Sequence, residues 1–153
     1  MKSLISTSPR QAHWGLLALR LVVGFVMLYA GWQKLFNFGV GSFGQALAME
    51  GVPLPGLFAW GVTLLEVVGG ALLIIGLVAR PVAALLAIDM VVAIILVSHE
   101  IGFMSATGKA GVEVNLLLIG GLLAILFAGS GSLSVDRALE GRGRAGAGEV
   151  SAA

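Results

Sequence analysis

The stretch LFAWGVTLLEVVGGALLIIGLVA, residues 57–79, is followed by Arg80 and then by PVAALLAIDMVVAIILV, residues 81–97; together they decide the fold. Each is close to the roughly 17–25 apolar residues that cross a bilayer's hydrocarbon core as a helix. Pro81 suits the first turn of a helix, where its missing N–H is not needed. Because one Arg separates the two stretches, we predict an antiparallel hairpin of membrane helices.

Two more apolar stretches, residues 14–35 and 111–128, give four predicted spans in all. The sequence therefore predicts an all-α membrane four-helix bundle with a transmembrane domain at residues 14–128. A cytoplasmic segment, 1–13, precedes it, and a cytoplasmic, partly disordered tail, 129–153, follows. Between the first two spans, Phe43 to Glu50 is predicted as a short helix before the break at Pro53 and Pro55.

The composition is that of a membrane protein. Hydrophobic residues make up 58% and charged residues 11% of the chain, against roughly 25% charged in soluble domains. Lys and Arg nowhere form a dense run, so nucleic acid is not expected as a partner. The chain has no Cys, which excludes disulfides, iron–sulfur ligation and a Cys nucleophile within it. No metal site is predicted.

The orientation follows from the basic residues outside the spans. Six would lie on one side and two on the other: Lys2, Arg10, Arg80, Arg137, Arg142 and Arg144 against Lys34 and Lys109. Cytoplasmic loops carry the excess of Lys and Arg. Both termini are therefore predicted inside, and the protein is predicted to be a multi-pass protein of the inner (plasma) membrane.

Four charged residues fall within predicted spans: Arg20, Glu66, Asp89 and Glu113. A charge at the bilayer centre costs at least roughly 2.5–3.5 kcal/mol, so each should face the bundle interior and find a partner. At 1.5 Å per residue, Arg20 and Asp89 are predicted at one level near the cytoplasm, and Glu66 and Glu113 higher. Pairing of Arg20 with Asp89 or Glu66 would be structural, whereas Glu66, with no evident cation at its height, is a candidate for function.

Two further residues keep alternative interpretations. Glu113 is either part of the polar interior or a solvated residue that suits the start of a helix. Lys34, at the outer end of the first helix, is favoured as a snorkelling anchor over a ligand.

Helical phase predicts which faces are buried. The expected inward faces combine a charge with small or apolar neighbours: Arg20, Gly24, Met27, Gly31 and Lys34 on the first helix; Val62, Glu66, Gly69 and Gly70 on the second; Glu113, Leu117, Gly120 and Ala124 on the fourth. Small residues are typical of places where membrane helices press together.

Several of these motifs resemble those of one family. They are Leu19-Arg20-Leu21, Gly31-Trp32-Gln33-Lys34-Leu35, Glu66 with Gly69-Gly70, Asp89 before Met90, Gly111-Val112-Glu113 and the run from Gly129 to Asp136. Over about residues 16–139 the chain resembles the DoxX family of small four-helix membrane proteins. Ser130 stands where such proteins often have Pro, and Asp89 where they often have Glu.

The resemblance implies a link to redox metabolism, in the company of quinones and partner proteins. We therefore expect a redox-associated membrane subunit that binds a quinone near Glu66, Arg20 and Asp89, with Glu113 and Lys34 as further candidate ligands. No catalytic residue is identified, and redox partner proteins or a second copy of the chain are expected partners beside the lipid bilayer. The alternatives are a small proton-coupled transporter and a structural anchor for partner proteins.

Overall fold

The computed structural model describes residues 9–98, 102–103, 111–131, 133–137 and 139. All regular structure in this part of the chain is helical: α1 Pro9–Trp32, continued by a π-helical segment Gln33–Phe38; α2 Val40–Met49; α3 Pro55–Ile75; α4 Ala79–Ala93, continued by a π-helical segment Ile94–Ser98; and α5 Val112–Ala128. Lys109 and most of the tail that is predicted to be partly disordered fall outside the described residues.

The helices have the length and surface of membrane spans. Three helical stretches, Gln11–Phe38, Pro55–Ile75 and Ala79–Ser98, are long and apolar enough to cross a membrane, and α5 is a shorter apolar helix. Large apolar side chains such as Phe25, Val68 and Phe127 are exposed on the outside. Such a surface suits lipid and not water, and the predicted all-helical membrane fold is confirmed.

Helices α1 and α3 pack closely because glycines line their contact. A Cβ atom built on Gly70 would lie 2.5 Å from the amide nitrogen of Leu28 and 2.7 Å from the carbonyl oxygen of Gly24. Gly31 likewise meets Val67 farther along the pair. Close backbone approach at small residues is how membrane helices gain packing energy, since lipid removes the hydrophobic drive between them.

The remaining helices complete a bundle around one apolar core. α3 contacts α4, α4 contacts α5, and α5 contacts α1, while α2 packs on α3. The core is formed by buried side chains from all four of the long helices, among them Met27, Leu73, Leu86, Leu122 and Ile125.

The turn between α3 and α4 sets the relative heights of their charged residues. Gly76 adopts φ 71° and ends α3 at Ile75, four residues before the predicted end, and α4 begins at Ala79. Glu66 is thus roughly 14 Å above the end of α3, and Asp89 roughly 15 Å above the start of α4. The prediction that Asp89 lies well below Glu66 is wrong; the two are level.

Candidate functional site

Lys34 and Glu66 form a buried ion pair between α1 and α3. The Nζ atom of Lys34 lies 2.5 Å from each carboxylate oxygen of Glu66, which is 1% exposed. The same ammonium group lies 5.1 Å from the ring centroid of Phe43 on α2, within the range of a cation–π contact. The predictions that Glu66 lacks a cation and that Lys34 is a snorkelling anchor are therefore wrong.

Asp89 is the unsatisfied member of this group. It is 8% exposed, and its Oδ2 atom has no hydrogen-bond partner among the described residues. An unpaired buried polar group costs about 1–3 kcal/mol, and more if charged. A side chain kept at such a cost, beside an ion pair, is a candidate for binding or proton chemistry.

A cavity of about 380 Å³ joins these residues. Lys34, Glu66 and Asp89 line it together with many apolar side chains of α1, α2, α3, α4 and α5. Sites for small molecules have volumes of roughly 300–1,000 Å³ and combine apolar walls with a few polar groups. Tyr29 and Val97 line the cavity and are also exposed on the outer surface, so the cavity lies close to the outside of the bundle there.

Two uncharged polar residues complete the lining, and the sequence analysis missed both as site residues. The amide Nδ2 of Asn115 on α5 donates a hydrogen bond to the hydroxyl of Ser98 at 2.6 Å, and both residues are buried. The missed signal is Asn115 itself, an amide inside the apolar run VEVNLLLIGG, residues 112–121. Because Asn115 carries no charge, it is not among the charged residues in the predicted spans.

Two π-helical segments place polar residues at this cavity. Lys34 lies in Gln33–Phe38 and Ser98 in Ile94–Ser98. A π-helix widens the backbone and shifts the direction of the side chains that follow. The α-helical period predicts that Lys34 turns inward, whereas Ser98 was not predicted to do so.

Arg20 lies elsewhere, at the end of the bundle where α3 turns into α4. Its guanidinium donates to the carbonyl oxygens of Leu73 at 2.7 Å, of Ile74 at 3.3 Å and of Leu133 at 3.0 Å, and to that of Ser130. The predicted pairing of Arg20 with Asp89 or Glu66 is wrong. Arg20 instead donates to carbonyls at the C-terminal end of α3, where carbonyl groups lack intrahelical i+4 partners, and it fixes the segment after α5 through Ser130 and Leu133.

Glu113 is also apart from the cavity. It lies in the first turn of α5, it does not contribute to the cavity lining, and its Oε2 atom has no partner among the described residues. The predicted inward face of this helix is wrong, since Leu117 is 77% exposed. The buried face carries Asn115, Gly121, Leu122 and Ile125. Gly121 sits against Val23 of α1, and this contact rotates the helix away from the predicted phase.

The predicted inward face of α1 is confirmed, with Arg20, Gly24, Met27 and Gly31 buried and Lys34 partly buried. On α3, Glu66, Gly69 and Gly70 are buried as predicted. The structure thus brings Lys34, Glu66 and Asp89 together and leaves Arg20 and Glu113 outside the cavity.

Comparison with known proteins agrees with this architecture. The DoxX family model matches residues 15–99. An uncharacterized membrane protein of Mycobacterium tuberculosis, Rv3486, is 34% identical over 90% of this chain and 91% of its own length. The inner membrane protein YqjF of Escherichia coli is 29% identical over 82% of this chain and 92% of its own length. A Bacillus subtilis protein named "Putative oxidoreductase CatD" is 32% identical over 80% of this chain and 84% of its own length. No solved structure matches the chain.

Proposed function

The chain belongs to the DoxX family of membrane proteins, and from that premise we propose that it is a membrane subunit of a redox-associated system that binds a quinone headgroup beside Glu66. The observation that carries the proposal is Asp89. Its buried carboxyl lines an apolar cavity, has no partner in the described residues, and lies level with the Lys34–Glu66 pair. The name of the Bacillus subtilis relative, an oxidoreductase, supports the same direction.

The residues around the cavity fit such a headgroup. A quinone needs an apolar slot for its ring and hydrogen-bond donors for its two carbonyl oxygens, and when bound it supplies two-electron, two-proton chemistry. The amide of Asn115 and the hydroxyl of Ser98 are donors in the lining. Asp89 can hold a proton at Oδ2, because no described residue donates a hydrogen bond to that oxygen. Most of the other side chains that line the cavity are apolar.

The polar groups of the cavity have different proposed roles. Lys34 and Glu66 fix the relative position of α1 and α3 and keep the cavity open between them. Asp89 and Asn115 stand on α4 and α5 and line the same cavity. We assign electron supply to a partner protein, since the chain has no Cys to ligate an iron–sulfur cluster.

A proton-coupled transporter is less well supported. Transport would require a polar path from one membrane surface to the other. Buried apolar side chains, including Met27, Leu86 and Leu122, form the core of the bundle, and Arg20 is committed to backbone carbonyls at one end. The charged residues predicted at two heights therefore form no continuous polar path in the described residues.

The topology proposed for this subunit has four spans in the plasma membrane, with both termini on the cytoplasmic side. Helix α5 has 17 residues and so a length of roughly 26 Å, near the lower limit for a span. We propose residues 14–128 as the transmembrane domain, 1–13 and 129–153 as cytoplasmic segments, and a second copy of the chain or redox proteins as partners. Fusions of periplasmic and cytoplasmic reporter enzymes to each terminus test the orientation.

Quinone content tests the function. We expect quinone in organic extracts of the full-length protein purified in mild detergent, and binding of a short-chain benzoquinone by calorimetry. E66Q and D89N should each weaken that binding about tenfold, equivalent to about 1.4 kcal/mol. The matched control is E50Q, the same chemical change at an exposed residue that does not line the cavity. If no quinone is extracted and all four proteins give the same titration, the proposal fails.

A further inference from the structure

A second cavity, of about 740 Å³, lies at the opposite end of the bundle from Lys34. It is formed where α1 begins, where α3 turns into α4, and where α5 ends and the chain continues to Leu139. It shares no lining residue with the cavity beside Glu66. A ligand bound here would therefore be independent of the proposed quinone site.

Basic side chains converge on this second cavity. His13 of α1, Arg80 of α4 and Arg137 of the segment after α5 all line it. Arg80 lies against Gly129, where an added Cβ would be 3.2 Å from its Nε atom. Neither Arg80 nor Arg137 forms an ion pair with any described residue. Two guanidinium groups with unused donors thus border one cavity.

The acidic residue in the lining is already engaged. The carboxylate of Asp136 accepts hydrogen bonds from the backbone amides of Val78 at 2.7 Å and Ala79 at 3.3 Å. This caps the start of α4, whose free N–H groups favour a negative charge. Because Asp136 is held by α4, it does not neutralise Arg80 and Arg137 by direct contact.

The proposed topology places this cavity at the level of lipid headgroups on the cytoplasmic side. Trp14 is next to His13 in the sequence and is 58% exposed, and exposed Trp is typical of the membrane interface. Leu16 and Leu139 add apolar surface to the lining. The lining therefore combines cationic groups with an apolar part, as a phospholipid headgroup and its glycerol region require.

We propose that this cavity binds a phosphate group, carried by an anionic phospholipid of the adjacent leaflet or by a free phosphate compound. The guanidinium groups of Arg80 and Arg137 bind phosphate oxygens, since a planar fork of N–H donors matches that geometry. His13 adds a third hydrogen-bonding group. The lipid and the free compound share this chemistry and differ in whether acyl chains contribute.

Native mass spectrometry of the full-length protein in detergent tests the proposal with three probes: phosphatidylglycerol, phosphatidylcholine and inorganic phosphate. We expect phosphatidylglycerol to be retained over zwitterionic phosphatidylcholine. R80Q and R137Q should each weaken retention about tenfold, as expected for the loss of a charge-assisted hydrogen bond. K109Q is the control, because it removes one positive charge from the connection between α4 and α5.

The outcomes separate the two sources. Retention of phosphatidylglycerol with no effect of inorganic phosphate identifies a lipid site, whereas binding of inorganic phosphate alone identifies a site for a free compound. Equal retention of both lipids together with no phosphate binding overturns the proposal, as does an equal loss in K109Q. If an Arg variant does not fold, the salt dependence of the wild-type protein decides: affinity for the anionic probe must fall as ionic strength rises.

Discussion

The Nζ atom of Lys34 lies 2.5 Å from both carboxylate oxygens of Glu66, and this pair links the π-helical end of α1 to the middle of α3. Removing either residue would leave the other charge buried without a partner, which is energetically costly because water is scarce at this depth of a membrane bundle. The pair is therefore both a packing element and one wall of the proposed site. Its two roles can be separated by measurement.

Removing one partner of the Lys34–Glu66 pair should destabilise the protein more than replacing both partners by apolar residues. K34M leaves the Glu66 carboxylate buried and alone, and we expect the free energy of unfolding to fall by about 3–5 kcal/mol. The double variant K34M/E66M removes both charges and should recover most of that loss, because no unpaired charge remains. Chemical unfolding in detergent micelles of the wild-type protein, K34M, E66M and the double variant completes the cycle. Additive losses would show that the two side chains do not interact.

Asp89 should be dispensable for folding. Its Oδ2 atom has no hydrogen-bond partner among the described residues, so this buried oxygen contributes no hydrogen bond there to the stability of the fold. We therefore expect the free energy of unfolding of D89L to be unchanged or raised by about 1–3 kcal/mol. Quinone binding should be lost in the same variant. The contrast is T63V, which removes a buried hydroxyl that donates to the carbonyl of Ala59 at 2.7 Å. Thermal unfolding should rank T63V below wild type and D89L at or above it; a strongly destabilised D89L would contradict this.

Gly70 is required for the α1–α3 contact. In G70A the new Cβ atom would lie 2.5 Å from the Leu28 amide nitrogen, and overpacking of this kind costs about 1–3 kcal/mol. Gly61 is the control on the same helix, since a Cβ there meets nothing within 4 Å. G61A should keep or slightly raise the melting temperature, because Ala is the better helix former. Equal melting temperatures for the two variants would refute the close contact.

Arg20 should hold the segment after α5 in place. R20Q removes most of the donors to the carbonyls of Leu73, Ile74, Ser130 and Leu133. We expect faster hydrogen exchange and faster proteolysis around residues 129–137. R20K keeps the charge with fewer donors, and its exchange should lie between R20Q and wild type. A proteolysis pattern that is the same in all three proteins would assign Arg20 no such role.

The helices and some of their buried faces could be predicted directly from the sequence. The apolar stretches predicted the helices, since only a helix satisfies its backbone hydrogen bonds within one segment in lipid. The faces carrying Gly24, Gly31, Gly69 and Gly70 were predicted from the α-helical period. That period applies along α1 and α3, where the contact follows the small residues.

The same period failed in α5, where Glu113 lies in the first turn and the rest of the helix is apolar except for one amide. The sequence of a helix without a marked polar face does not show which side is buried, so contacts with the neighbouring helices decide this. Val23 of α1 fits against Gly121 and turns Asn115 inward and Leu117 outward. The predicted heights of Glu66 and Asp89 were also wrong, because Gly76 ends α3 before the apolar stretch ends.

The sequence by itself determined that the chain is helical, that it belongs in a membrane, and that Arg20, Glu66 and Asp89 are buried. The free-energy cost of a charged side chain in hydrocarbon is enough to predict that burial, since each charge must avoid lipid whatever its partner is. The partners were decided only by tertiary structure: Glu66 binds Lys34, Arg20 binds carbonyls, and the Oδ2 atom of Asp89 has no hydrogen-bond partner in the part of the chain that the structure describes. The physical reason is that a hydrogen bond depends on ångström-scale distances, which small changes in helix ends, π-helical turns and glycine contacts control.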